Sequence, residues 1–444
     1  MDPLEGTMPE TPSSDVISTR CQRIAELARR HPGEPLTTLA HHIDVDWLRV
    51  AYERTRKDGA PGVDGRTGAA YAVNLEANLR SLLQRAKSGA YRAPAVRRTY
   101  IPKGDGSERR ALGIPTFEDK VLQRAVAMVL EAVYEHEFLD CSYGFRPGRS
   151  AHQALAVARE SLMAMGGGWI IDLDVRKFFD RVDHRLLREV LRQRVRDGVV
   201  VRLIGKWLNA GVMEQGQLHR AEQGTPQGGV IPPLLANVFL HEVLDVWFEQ
   251  VVKPRLRGEA HLIRYADDAV VVFRREDDAR RVMAVLPRRF AKYGLELHPQ
   301  KTRMVAFRRP APGPMQPGDR PDTFDLLGFT HYWARSKRGH WVIKRKTTRD
   351  RLRRTITAID RWCRRCRHLP VDEQWVILNR KLQGHYAYFG LTGNSAALAR
   401  VRHWTMWSWH RWLSRRSQKG TIRWDAFYRF LERYPLARPR LRPA

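Results

Sequence analysis

Residues 262–273 read Leu262-Ile263-Arg264-Tyr265-Ala266-Asp267-Asp268-Ala269-Val270-Val271-Val272-Phe273, two adjacent carboxylates set between apolar, β-branched runs. Such runs read as strands, and the polar break between them is short enough to be the tip of a hairpin. Along a regular strand neighbouring side chains point to opposite faces, so consecutive Asp residues converge on one target only where the ladder breaks into a turn. Packed against an apolar hairpin, two carboxylates repel each other and resist desolvation unless a divalent cation draws them together; magnesium, which takes oxygen ligands, is the natural candidate. Taken alone the pair is equally well a solvated turn, because Asp is a common turn residue.

A second acidic stretch changes that balance: Trp169-Ile170-Ile171-Asp172-Leu173-Asp174-Val175-Arg176-Lys177-Phe178-Phe179-Asp180. A buried strand begins at Trp169, and the period of two puts Asp172 and Asp174 on one face of it. An Asp from this strand end beside the Asp267-Asp268 turn completes a carboxylate cluster able to hold two magnesium ions, the arrangement used for in-line phosphoryl or nucleotidyl transfer. Tyr265-Ala266-Asp267-Asp268 resembles the catalytic box of reverse transcriptases, and Asp174-Val175-Arg176-Lys177-Phe178-Phe179 resembles their other metal-binding box. The resemblance implies that Asp174, Asp267 and Asp268 are the catalytic and metal-binding carboxylates.

Composition points the same way. The chain has 444 residues, a prior for about three domains at roughly 150 residues each, and 43% of them are hydrophobic, enough for real cores. Its 78 Lys and Arg outnumber 48 Asp and Glu, giving a net charge of +30. So large a charge calls for a polyanion, and nucleic acid is the commonest one. An anionic membrane is the rival partner, but no apolar run approaches the ~18 residues that span a bilayer, and the N-terminus lacks a signal-peptide pattern. Cys21, Cys141, Cys363 and Cys366 form no disulfide framework, so a cytoplasmic, bacterial setting is expected.

Taken in order, residues 1–20 are rich in Pro, Ser, Thr and acid and read as a flexible tail. Helical spacing follows, interrupted by Gly59-Ala60-Pro61-Gly62-Val63-Asp64-Gly65, which resembles the N-terminal extension box of group II intron reverse transcriptases. The segment from Tyr91 through Lys103, the turn Gly104-Asp105-Gly106 and the arm to Thr116 read as a basic β-hairpin. The family's fingers hairpin is similar, and the resemblance puts Lys103 and Arg110 on the phosphates of an incoming nucleotide. Past an apolar helix over 117–138, the loop Ser142-Tyr143-Gly144-Phe145-Arg146-Pro147-Gly148-Arg149-Ser150 carries Arg146 and Arg149 among aromatics, fit to grip a template or to pack as a loop. Its likeness to a family box favours the template.

Within the Asp174 box, Phe179 stands where the resembling enzymes use an aromatic ring to exclude a 2′-hydroxyl, while Phe178 packs the core. Asp172 reads as a partner of the metal ligands, and Asp180 and Asp183 as caps of the next helix. Gln223-Gly224-Thr225-Pro226-Gln227-Gly228-Gly229-Val230-Ile231-Pro232 resembles the Thr-Pro-Gln-Gly-Gly box of group II intron enzymes, which puts Gln227 against the nucleotide's sugar. Pro232 departs from the usual Ser, which fixes φ near −65° and leaves the loop geometry open. Tyr265 belongs with the template and primer contacts. Lys301 matches a family lysine that protonates the pyrophosphate leaving group, a role any phosphate-facing Lys can resemble.

Residues 309–321 read as a linker. Phe324-Asp325-Leu326-Leu327-Gly328-Phe329-Thr330-His331-Tyr332 reads as a strand and resembles the last palm box. A helix from Arg349 carries Cys363 and Cys366 on its apolar stripe, as core cysteines rather than zinc ligands. Residues 404–424 mix Trp404, Trp407, Trp409 and Trp412 with arginines, a composition that stacks on bases or fills a helical core. No stretch of these residues resembles the endonuclease domain of many relatives, so the resemblance is expected to lie nearer the endonuclease-lacking, class C group.

The expected fold is therefore α+β: a right-hand polymerase of fingers and palm, then an α-helical thumb or maturase domain and a short basic helical C-terminal module. Expected boundaries are 1–20 tail, 21–90 helical extension, 91–310 fingers and palm, 322–395 last palm strand and thumb, and 396–444 basic module. The resemblance implies a group II intron-encoded RNA-directed DNA polymerase using two Mg2+ ions. Its partners would be dNTPs, an RNA template, a DNA primer or target and intron RNA, with a homodimer left open. A domesticated reverse transcriptase in defence or repair, and an RNA-binding maturase without polymerase activity, are the alternatives.

Overall fold

The computed structural model describes residues 14–103, 108–214, 217–219, 228–311, 322–417 and 420–441. It is a mixed helix and sheet protein. Its strands are β1 (Val96–Lys103), β2 (Glu108–Ile114), β3 (Gly167–Leu173), β4 (Val212–Glu214), β5 (Gln217–His219), β6 (Ala260–Tyr265), β7 (Asp268–Phe273), β8 (Arg303–Arg308), β9 (Phe324–Leu326), β10 (Phe329–Arg335) and β11 (Trp341–Thr347).

The sheet that positions the site runs β6-β7-β3-β8, every neighbouring pair antiparallel. Alternation gives it two apolar faces. Ile171, Leu173, Leu262, Ala269, Val271 and Phe273 join the core formed with the N-terminal helices and Phe117–Tyr134. Ile170, Ile263, Val270, Val272, Val305 and Phe307 face helix Ala151–Ala164 and the small sheet β11-β10-β9. Burial on both sides explains why these strands read as unbroken apolar runs rather than alternating ones.

The basic hairpin is the pair β1 and β2, in a second sheet ordered β2-β1-β4-β5. Further along, helices Arg349–Arg365, Val371–Phe389, Ser395–Leu413 and Trp424–Arg433 enclose a separate core of Ile359, Trp362, Cys363, Leu378, Leu382, Trp409 and Phe427. No helix among the described residues is long and apolar enough to cross a membrane.

Four elements differ from the sequence reading. The first helix begins at Ser14, inside the segment expected to be a tail through residue 20, because Ile17 and Ile24 are both fully buried on its inner face. The strand expected over 324–332 is two strands, since Leu327 (φ 49°) and Gly328 (φ 80°) turn the chain between them. Strand β11 pairs with β10 and had no counterpart in the reading. Finally, the apolar run Leu234–Leu244, which by sequence reads as one helix, is divided between the α-helix Pro232–Leu240 and π turns over His241–Val252. Pro232 is the first residue of that helix, where a missing N–H costs nothing, so its departure from Ser leaves the backbone undisturbed.

Candidate active site

The carboxylates are brought together by strand register. Leu173 of β3 lies opposite Ala269 of β7, so one residue further on each strand sets Asp174 beside Asp268. Positions 170, 172 and 174 share a face of β3, as 268, 270 and 272 do of β7, and it is the same face. Asp172, Asp174 and Asp268 accordingly line one cavity of about 300 Å³, joined by Asp325 from β9 and by Lys301 and Arg303. The ammonium of Lys301 donates to Asp174 Oδ2 at 3.3 Å, and Arg303 Nε stands 3.8 Å from Asp172 Oδ2. Burial pushes the Asp172 carboxyl up to about 6; Arg303 opposes this, and the charges of Asp268, Asp174 and Asp325 add to it. Four carboxylates against two cations leave the lining net negative, as a cation site requires.

Asp267 occupies the two-residue turn Ala266-Asp267 between β6 and β7. That turn is held from behind. Arg264, fully buried, donates to both oxygens of the equally buried Asp245 at 2.7 and 2.6 Å. Its remaining donors reach Asn237 Oδ1 at 2.9 Å, Ser142 Oγ at 2.7 Å and the carbonyl of Ala266 at 3.0 Å. Burial works against both charges, yet pairing keeps the Asp245 carboxyl below its ordinary range and the Arg264 guanidinium above its own; Asp267 adds to the latter. Backbone bonds Tyr143 N–H to Arg264 O and Arg264 N–H to Cys141 O, both 2.8 Å, tie the loop at 141–144 to β6. Asp245 comes from the π turns, a helix form that recurs at functional sites.

Ala266 sits at φ 57°, a left-handed conformation that strains a residue with a Cβ. Phe145 (φ 56°), Lys177 (φ 48°) and Leu327 (φ 49°) are the other non-glycine residues of this kind among those described. Each is within three residues of Gly144, Asp174 or Asp325, so backbone strain is gathered around the carboxylates. Gly144 has no room for a side chain: a Cβ there would stand 2.4 Å from Ala266 N. Gly144→Ala must push the turn away, and a displacement near 1 Å at reacting groups costs about a hundredfold. A loss of turnover on that order is expected with near-native circular dichroism; turnover within threefold of the parent would show that the turn tolerates the shift.

Residues 101–331, more than half of the chain, match the family model described as reverse transcriptase (RNA-dependent DNA polymerase). The chain belongs to the reverse transcriptase family. Among its relatives, Protein YkfC of Escherichia coli (strain K12) is 37% identical over 258 residues, covering 56% of this chain and 66% of that protein. Group II intron-encoded protein LtrA of Lactococcus lactis subsp. cremoris is 36% identical over 223 residues, 50% of this chain and 37% of LtrA. Nuclear intron maturase 2, mitochondrial, of Arabidopsis thaliana is 29% identical over 177 residues, 31% of this chain and 24% of the maturase. The chain thus spans just under two thirds of the first relative and little more than a third of the second. These names support a reverse transcriptase of the group II intron and maturase type.

Reverse transcriptases use divalent metal ions, and the donor set here is of the right kind: hard carboxylate oxygens around one cavity. Among the described residues no three acidic, His or Cys side chains already converge to ligand distances, so a cation would have to draw them in. Of the other expected site residues, Phe179 is half-buried with its ring edge-on to the fully buried Phe178, 5.2 Å between centroids. The backbones of Lys103 and Arg110 lie on the paired arms of the hairpin, opposite Glu108 and Ile101; their side chains fall outside the described residues. Gln227 also lies outside them. Its neighbour Gly228 (φ 116°) packs where a Cβ would meet Gly113 O of β2 at 2.7 Å, and Gln123 Oε1 accepts from Val230 N–H at 2.9 Å. Tyr265 stands opposite Asp268, its ring 6.4 Å from the exposed Phe145.

Arg146 is a correction. Its side chain is only 3% exposed, and its donors are used inside the protein by the Glu135 carboxylate at 2.8 Å and the carbonyls of Leu139 and Ser142 at 2.7 and 2.8 Å. It braces the loop and has no donor left for a template. Arg149 is ion-paired with Asp140 but keeps part of its surface free. Sequence reasoning missed Arg264, Asp245 and Asp325. An Arg inside an apolar strand run was the available signal for the first; Asp245 and Asp325 carried none.

Proposed function

We propose that the chain is a group II intron-encoded RNA-directed DNA polymerase that also binds intron RNA to assist splicing. The observation that carries it is the register that sets Asp174 beside Asp268 over one acidic cavity. In this reading residues 91–310 form fingers and palm, 322–395 the last palm strands and thumb, and 396–444 a basic module whose exposed Trp404 and Trp407 offer stacking surface. The N-terminal helical extension starts with the helix at Ser14 and runs to residue 90, and the site of action is the bacterial cytoplasm.

In the reaction, the 3′-hydroxyl oxygen of a DNA primer bonds to the α-phosphorus of a dNTP as the bond from that phosphorus to the β-phosphate bridging oxygen breaks. Pyrophosphate leaves, and the hydroxyl proton passes to solvent. Asp174, Asp268 and the neighbouring Asp267 would hold two magnesium ions, which when bound polarise the nucleophile and neutralise the leaving group. Lys103 and Arg110 would meet the triphosphate from a stiff hairpin, at less entropic cost than from a loose loop. Phe179 would deny a 2′-hydroxyl both space and a hydrogen bond, with Gln227 against the same sugar. Lys301, at 3.3 Å from Asp174, is within reach to protonate departing pyrophosphate. Arg149 and Tyr265 would contact template and primer.

The test is primer extension on an RNA template with dNTPs and magnesium. Extension that needs the template and stops on adding a chelator is expected. Failure to extend beyond an Asp268→Asn background, with splicing assistance retained, would leave the RNA-binding maturase reading in its place.

A further inference from the structure

A cavity of about 990 Å³, sharing no residue with the carboxylate site, lies between helices His184–Arg194 and Gly198–Leu208 and the chain leading into β1. Arg92, Arg188, Arg192, Arg196, Arg202 and Lys206 line it, and no lining residue among those described is acidic. None of the six makes an ion pair with a carboxylate among the described residues. Arg188 and Arg192, like Arg202 and Lys206, are four apart on a helix, a like-charge spacing that opposes the helix that carries it. Such charges persist where something outside the chain balances them.

Two of the cations are also structural. Lys206 Nζ donates to the carbonyl of Gly89 at 2.6 Å, and Arg202 Nη2 to that of Lys87 at 3.1 Å. Arg192 and Arg196 are exposed and Arg188 half-buried; the side-chain bonds of Arg188 and Arg196 go only to carbonyls of their own segment, leaving the rest of each guanidinium open. The lining holds no aromatic ring. Sites for single strands combine cations with rings on which bases stack, whereas double-stranded RNA is met through its backbone. Gly198 and Gly205 open onto the cavity with nothing within 4 Å of a Cβ position, so a bulky backbone can approach the helices closely.

We propose that this cavity is a second nucleic-acid site, which takes the sugar-phosphate backbone of a double-stranded RNA segment outside the polymerase cleft. It rests on the reading above only in taking the partner to be nucleic acid, and its readout is separate from polymerisation. The probe is an RNA hairpin of about 20 base pairs, with affinity measured as a function of salt. Each lost phosphate contact lowers the slope of log affinity against log salt by about 0.9. Arg188→Gln/Arg192→Gln/Arg196→Gln is therefore expected to lower it by about 2 to 3 and weaken binding at least tenfold at moderate salt. Extension of a short primer–template stays unchanged. Arg257→Gln/Arg275→Gln/Arg280→Gln removes the same charge from arginines already paired with Asp277 or Glu276 and is expected to change the slope by less than one. Equal losses in the two triple variants, no loss in the cavity variant, or an equal loss for a single-stranded oligonucleotide of the same length overturns the proposal.

Discussion

Asp268→Asn and Asp174→Asn each lower RNA-templated extension at least about a thousandfold while the protein stays folded. The size follows from what the carboxylates do in the proposed reaction. Charge stabilisation through a held metal ion is worth several kcal/mol in the transition state, and each 1.36 kcal/mol is a factor of ten in rate. An amide keeps the shape of the side chain but loses the negative charge that holds the cation. Stability moves the other way or not at all: Asp268, Asp174, Asp172 and Asp325 share one small cavity, and removing one charge relieves the repulsion that adds to burial in raising the Asp172 carboxyl. Parallel melting curves and single-turnover extension rates check both halves. Either variant extending within tenfold of the parent would remove these carboxylates from the chemistry.

Arg264→Ala has the largest expected effect on stability. It leaves the buried Asp245 uncompensated and strips a donor from Ser142, Asn237 and the Ala266 carbonyl together. Removing one partner of a buried pair costs about 3–5 kcal/mol, so a large drop in the urea midpoint is expected, with extension lost as the turn loosens. Replacing both partners separates the two consequences. A well-packed apolar pair in place of a buried salt bridge is often neutral or stabilising, so Arg264→Met/Asp245→Leu regains much of the stability. It restores no donor to Ala266 O, and extension stays low. A double variant recovering stability and activity together would show that the guanidinium supports the fold without steering the turn.

The acidic centre was legible because strand alternation and hairpin geometry are local. Asp172 and Asp174 two apart, and Asp267-Asp268 at the break between apolar runs, already fixed which groups meet once the strands pair. What supports that centre was not legible, because it depends on partners brought in by tertiary packing. In sequence Arg264 is a lone cation in a strand, and Asp245, 19 residues earlier, is one acid on an apolar helix. Arg146 shows the converse. A basic, aromatic loop looks like a nucleic-acid grip, and only the fold reveals that Glu135, 11 residues upstream, has taken the guanidinium into the protein. Asp325 enters the cavity by the packing of β9, which no spacing in the chain announces.

The left-handed backbone at Phe145, Lys177, Ala266 and Leu327 bears on how this protein can be improved. Glycine would relax each of them, since it alone adopts that conformation without steric penalty. A search for heat resistance would therefore be drawn to these four sites. A search for speed would be driven from them, because glycine also widens the range of backbone conformations open to loops beside the carboxylates. Durability and turnover should trade against each other here more steeply than elsewhere in the molecule, and a hardened variant is better sought in the helices far from these bends.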